Sequence, residues 1–292
     1  MNPIFTLPAP AGSIQATLAY MHPPAGNPFN YACEPPPGQP WQNYQADRRT
    51  VRIGDARLLA SAPSLDADGF LLRDAPVDKR SFLPEGDIVR LYYPEVAELA
   101  CAATGASRAR VFDHLVRHCR PGAGAPGFGR AARGEPAGPN GCVHNDYTEQ
   151  SGDKRLGLVF GELAAQLRGR RYSIVNVWRS IRAPVLDTPL AVCDARSVAA
   201  QDLVEAEVRY PHRTGEIYLA RHAARHRWFY FSAMHPDEAL VLKQYDSQRS
   251  GVARFTPHAA FDHPDAPPGV PPRVSIEARC LVIYDEPCRE TS

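Results

Sequence analysis

The chain has no Cys-x-x-Cys pair, and its seven cysteines are odd in number and scattered. That usage argues against a structural zinc finger and a disulfide framework, and it fits a reducing compartment. Charge of one sign is lacking too, since thirty-three Lys and Arg balance thirty-two Asp and Glu. With almost no net field, nothing draws the protein to nucleic acid or an anionic membrane, and Arg168-Gly-Arg-Arg171 reads as a solvated turn. No apolar run is long enough to span a bilayer, and the first residues show no basic segment followed by an apolar one. The expectation is a soluble, cytoplasmic protein. Internal repeats and low-complexity tracts are absent. So is a glycine-rich strand-to-helix turn, which sets aside a methyltransferase using S-adenosylmethionine.

Turning structure, by contrast, is abundant. Twenty-nine prolines and twenty-one glycines cut the chain into short segments, which suits a β-rich fold better than a helical bundle. Two stretches read as helix, about 94–119 with a break near Gly105, and about 152–167. Between them, 121–140 is rich in Gly, Pro and Ala and reads as a loop or lid. From Tyr172 onward come successive strands at 172–178, 190–193, 216–219, 228–231, 239–242 and 273–284, without intervening helices. With a strand at 143–146 that makes about seven, arguing for a sandwich or jelly roll. The expected organisation is one domain over 1–292. Residues 1–93 form an N-terminal extension, 94–170 the helices, lid and first site strand, and 171–292 the remaining strands.

The segment Gly141-Cys-Val-His-Asn-Asp-Tyr-Thr148 carries the most chemistry. In an extended strand His144 and Asp146 face the same side and can share one metal. A second histidine would complete the facial triad that leaves half the coordination sphere of ferrous iron open. A His two residues from an Asp recurs by chance, so the motif needs company. His114 and His118 lie i, i+4 on the expected helix and read as surface. His222 and His226 flank an arginine-rich turn, and His235 precedes the turn Pro236-Asp-Glu238. His258 and His263 remain, and His258 is the better placed, after the apolar strand ending Lys243-Gln-Tyr-Asp-Ser247.

The last strand alternates Arg273, Ser275, Glu277 and Arg279 on one face with Val274, Ile276, Ala278 and Cys280 on the other. An arginine fork beside a hydroxyl suits the distal carboxylate of 2-oxoglutarate, whose keto acid end chelates iron. Cross-strand salt bridges on a solvent face would give the same pattern.

Several motifs in fixed order resemble the AsaB/CmcJ-type hydroxylase/desaturase family, which includes fungal gibberellin desaturase. They are Val143-His-Asn-Asp146, Asn176-Val-Trp-Arg179, Pro189-Leu-Ala-Val-Cys-Asp194, His226-Arg-Trp-Phe-Tyr230, the segment 237–247, His258-Ala-Ala-Phe261 and Arg273-Val-Ser-Ile-Glu-Ala-Arg279. The likeness runs from about Asp66 to Tyr284. It implies a double-stranded β-helix, a cupin-like jelly roll that is mainly β with peripheral helices. It also implies an oxidoreductase that uses Fe(II), 2-oxoglutarate and dioxygen to hydroxylate, desaturate or cyclise a small organic molecule of secondary metabolism. Carried over residue by residue, it makes His144, Asp146 and His258 the iron ligands. Arg273 and Ser275 then hold 2-oxoglutarate, with Arg279 as the rival anchor, and Asn176, Trp178, Arg179 and Tyr230 line the substrate pocket. Two other readings stay open: a non-oxidative metal hydrolase or lyase on the same scaffold, and a non-catalytic accessory subunit of a biosynthetic pathway.

Overall fold

The computed structural model describes residues 12–78, 82, 87–120 and 136–287. Two curled β-sheets face each other across the interior. The smaller runs in the order β4 (Phe70–Asp74), β12 (Glu238–Asp246), β7 (Arg170–Ser180), β14 (Val274–Pro287) and β5 (Arg108–His118). The larger has nine strands. Its order is β1 (Ser13–His22), β3 (Gln45–Asp55), β11 (Trp228–Tyr230), β8 (Leu190–Cys193), β13 (His258–Ala260), β6 (His144–Asn145), β10 (Thr214–Ala220), β9 (Leu203–Arg209) and β2 (Phe29–Tyr31). This is the jelly roll that the sequence leads one to expect, mainly β with helices outside.

Strand periodicity decides what faces the interior. On β7, Tyr172 and Ile174 enter an apolar cluster with Tyr245, Leu281 and Ile283, whereas Trp178 enters another with Val192, Leu240 and Leu242. Asn176 lies between them and is fully buried. Polar side chains thus collect mid-barrel with an apolar plug at each end. Such an arrangement is costly unless those groups are paired or serve a ligand.

The outer face of the small sheet carries Val175, Val177, Ile276, Ala278 and Cys280, and helix α1 (Tyr93–Thr104) covers it through Val96 and Ala100. Pro94 opens α1, and Gly105 ends it in the left-handed region at φ 74°. Past Gly105 the chain enters strand β5, paired with β14 from Val274↔His118 to Ile283↔Arg108, and not a second helical segment. His114 and His118 therefore sit on a strand, and the Tyr93 hydroxyl is 2.9 Å from His114 Nδ1. Helix α2 (Glu149–Phe160) starts in a capping box of Thr148 and Ser151 and seats Gly152 directly on the Tyr245 ring, where a Cβ would collide.

Among the described residues before 93, four strands join the two sheets. Strand β3 pairs in parallel with β11, β4 pairs with β12, and β1 curls over until Ala19 bonds with Gly141 and Val143. The N-terminal strands so brace the segment leading into His144. Most of the expected lid, residues 121–135, lies outside the described residues. Among those described, no helix is long and apolar enough to cross a membrane.

Candidate metal centre

His144 and His258 are Cα partners across β6 and β13, which puts their rings 4.4 Å apart. Asp146 follows just beyond β6, with Oδ1 3.4 Å from His144 Nε2. One ligand atom from each of the three falls within 4.8 Å of the others, a spacing that admits one metal ion between them.

The surrounding contacts aim each ligand. His144 Nδ1 donates to Cys142 O at 2.8 Å and His258 Nδ1 donates to Thr256 O at 3.2 Å, which turns each Nε2 toward the centre. Burial, with His144 beside it, pushes His258 down to about 3, so the ring is neutral and its lone pair free. Burial opposes ionisation of Asp146, yet the Arg279 guanidinium beside it holds its carboxyl well below the usual range. Asp146 Oδ2 accepts from Asn176 Nδ2 at 2.8 Å and from Arg279 Nε at 3.0 Å, leaving Oδ1 forward. Two imidazole nitrogens and one carboxylate oxygen, with a committed second oxygen, suit a divalent iron.

Three supporting residues escaped the sequence reading. Asn145 points away from the metal, donates to Tyr147 O and Gln244 O, and accepts from Thr256 N. It therefore fastens the His144–Asp146 segment to the one that carries His258. Gln244 sits where β12 slips register against β7, and its Oε1 accepts from Asp146 N at 2.9 Å. Thr256 bonds Gly69 O, and Gly69, at φ 89°, has no room for a Cβ against that side chain. A buried amide in the middle of His-Asn-Asp was the available signal for Asn145. Gly69→Ala combines strain with collision and is expected to cost about 3 kcal/mol in urea unfolding, with weakened metal binding through Thr256 and His258.

On β14 the polar row faces inward. Arg279 is saturated by Asp146, by Asp113 at 2.8 Å and by Glu277 at 2.9 Å. Arg273 is buried, stacks over Trp178 with its guanidinium carbon 5.4 Å from the ring, and donates to Thr188 O. Its Nε and the nearby Ser275 Oγ are both buried without a hydrogen-bond partner among the described residues. Burial, with Arg117 nearby, lowers Arg273 to about 10 against the opposing pull of Cys119, Asp187 and Glu277. The two orphaned donors fit the distal carboxylate of 2-oxoglutarate.

The chain matches the family described as "Oxidoreductase/YMDC permease-like domain" over residues 18–283. It is 34% identical over 258 residues to the hydroxylase/desaturase efuI of Hormonema carpetanum, covering 82% of this chain and 85% of that one. It is 31% identical to the Fe(II)/2-oxoglutarate-dependent dioxygenase nvfI of Aspergillus novofumigatus, covering 92% and 96%. The chain belongs to the AsaB-type hydroxylase/desaturase family. The solved structure of the iron and alpha-ketoglutarate-dependent endoperoxidase NvfI superposes with a TM-score of 0.83 at 27% identity, covering 94% of this chain and 99% of that one. This AsaB-type protein is thus an Fe(II)/2-oxoglutarate-dependent oxidoreductase that takes Fe(II), 2-oxoglutarate and dioxygen.

Two residues expected to line the pocket face elsewhere. Arg179 has the opposite parity to Asn176 and Trp178, so it lies on the α1 side of the small sheet. There Nε donates to Tyr92 Oη at 2.9 Å and Nη1 to Ala75 O at 2.7 Å. Tyr230 lies on the outer side of the large sheet with Tyr20 and Phe261, its hydroxyl 3.4 Å from His263 Nε2. Asn176 and Trp178 do face inward, one on Asp146 and the other under Arg273. Arg179→Met in this AsaB-type oxygenase leaves Tyr92 and the Ala75 carbonyl unpaired. It is expected to lower stability by about 2–3 kcal/mol in urea titration while leaving 2-oxoglutarate affinity within about twofold.

Proposed function

We propose that His144, Asp146 and His258 hold Fe(II), that Arg273 and Ser275 hold the distal carboxylate of 2-oxoglutarate, and that Asn176 and Trp178 shape the cavity between them. The observation that carries the assignment is the pair of orphaned buried donors, Arg273 Nε and Ser275 Oγ, on the strand whose Arg279 grips Asp146. A non-oxidative metal hydrolase has no use for that pair. Arg279 already serves three carboxylates and acts by positioning Asp146.

Each residue then has a task. Cys142 O and Thr256 O fix the imidazole tautomers, and Asn176 with Arg279 keeps Asp146 Oδ2 occupied so that a single oxygen is offered. Trp178, Val192 and Leu242 exclude water from one side, and Tyr147, Ile174 and Leu281 from the other. When bound, Fe(II) and 2-oxoglutarate supply the activation of dioxygen that oxidises a substrate C–H bond, with succinate and carbon dioxide as co-products. The outcome on a small organic molecule of secondary metabolism is hydroxylation, desaturation or cyclisation. The free thiols among the described cysteines support work in the reducing cytoplasm.

Substrate-independent turnover tests this. Aerobic protein with Fe(II) is expected to convert 2-oxoglutarate to succinate slowly, consuming one dioxygen per succinate, and Asp146→Ala is expected to abolish it. Metal-loaded protein that consumes no oxygen and leaves 2-oxoglutarate intact would contradict the proposal.

A further inference from the structure

A cavity of about 420 Å³ reaches Asp146 and Arg279 between α2, β5 and the β9–β10 hairpin. Its charges are unevenly committed. Among its acids, Asp113 pairs with Arg279, Glu207 pairs with Arg209, and Glu216 accepts from Thr148. Among its cations, Lys154, Arg155 and Arg213 have no carboxylate within ion-pair distance among the described residues. Arg213 rests on the Tyr210 ring, 4.1 Å from its centroid.

Arg155 is the most prepared of the three. Helix α2 projects it between two rings, with its guanidinium carbon 5.0 Å from the Phe112 centroid and 5.6 Å from that of Tyr147. Its Nε is buried and without a hydrogen-bond partner among the described residues. Cation–π contact with the two rings holds the guanidinium without using its donors, which leaves the fork free for a planar anion. Around it the cavity wall is apolar at Leu158, Val208 and Ile217, and Leu158 is 74% exposed.

Resting on the oxygenase reading of the neighbouring metal centre, we propose that Arg155 is the specificity residue for a carboxylate on the substrate. The substrate class is an apolar skeleton bearing one carboxylate. The anion sits on Arg155 and the skeleton on Leu158, Val208 and Ile217, which directs the far end toward Asp146. Lys154 and Arg213 add positive potential at the mouth.

The test uses 1-naphthoate and its uncharged methyl ester as probes. Both are titrated by fluorescence into anaerobic full-length protein loaded with Fe(II) and saturating 2-oxoglutarate, so that Arg273 is already occupied. Wild type is expected to bind the acid at least about tenfold tighter than the ester. Arg155→Met keeps an apolar stem on the rings and is expected to bring the ratio to within about twofold, whereas Arg155→Lys retains part of it. Equal affinity of wild type for acid and ester, an undiminished preference in Arg155→Met, or no binding of the acid overturns the proposal. The visible absorbance of the chelated iron, read in the same samples, separates the two readings. Its absence from wild type would count against the metal centre, and its presence without acid preference against Arg155 alone.

Discussion

Arg273→Met raises the 2-oxoglutarate concentration needed for half-saturation by roughly 100-fold, while iron affinity changes by no more than about twofold. The guanidinium is buried over Trp178 with Nε unpartnered among the described residues, and burial and Arg117 lower its pKa while leaving it charged. A charge-assisted pair in such a place is worth about 3 kcal/mol, which sets the size of the effect. Arg279→Met has the opposite signature, because its guanidinium holds Asp146 Oδ2. It weakens iron binding first, and 2-oxoglutarate only as a consequence. Isothermal titration of each variant with Fe(II), and then with 2-oxoglutarate under nitrogen, distinguishes them. A 100-fold loss of 2-oxoglutarate affinity in Arg279→Met but not in Arg273→Met would exchange their roles.

Asn145→Ala is expected to cost about 3–5 kcal/mol of stability and to lower metal affinity by about 10–100-fold. Three hydrogen bonds of a fully buried amide are lost together, to Tyr147 O, Gln244 O and Thr256 N. Each buried partner left unsatisfied costs about 1–3 kcal/mol, and the segments they join carry all three ligands. Urea unfolding of the apo-protein gives the first quantity and competition with a chelator the second. A variant as stable as wild type, with unaltered metal affinity, would show that Asn145 fastens nothing.

Local periodicity was readable wherever a strand was long enough to repeat. Strand β14 alternates from Val274 to Tyr284, so the inward row that begins at Arg273, just before the strand, and runs to Arg279, and the outward row from Val274 to Cys280, stand in the sequence as they do in the fold. The same parity rule separates Arg179 from Asn176 and Trp178 and puts Arg179 on the α1 side. Strands β6 and β13 span two and three residues, too few to show any period, and exist because long-range pairing places His258 opposite His144. Strand β3 hid for a different reason. Of its eleven residues only Ile53 and Asp55 are buried, so its composition looks like that of a loop. Strand β5 read as helix because Val111, Leu115 and His118 also fit a helical stripe, and only pairing with β14 decides between the two periods. The ligands could be named from motif and resemblance. Their support by Gln244, Thr256 and Gly69 depends on a register slip and on a contact 187 residues apart in the chain, which no local pattern carries.

The most direct measurement is the visible spectrum of the apo-protein under anaerobic conditions as Fe(II) and then 2-oxoglutarate are added. The account predicts a weak charge-transfer band that appears only when both are present. In Arg273→Met the band requires far more 2-oxoglutarate, and in His258→Ala it is lost. Stoichiometric iron binding without the band, or an undiminished band in His258→Ala, would contradict the assignment of His144, Asp146 and His258 as the iron site.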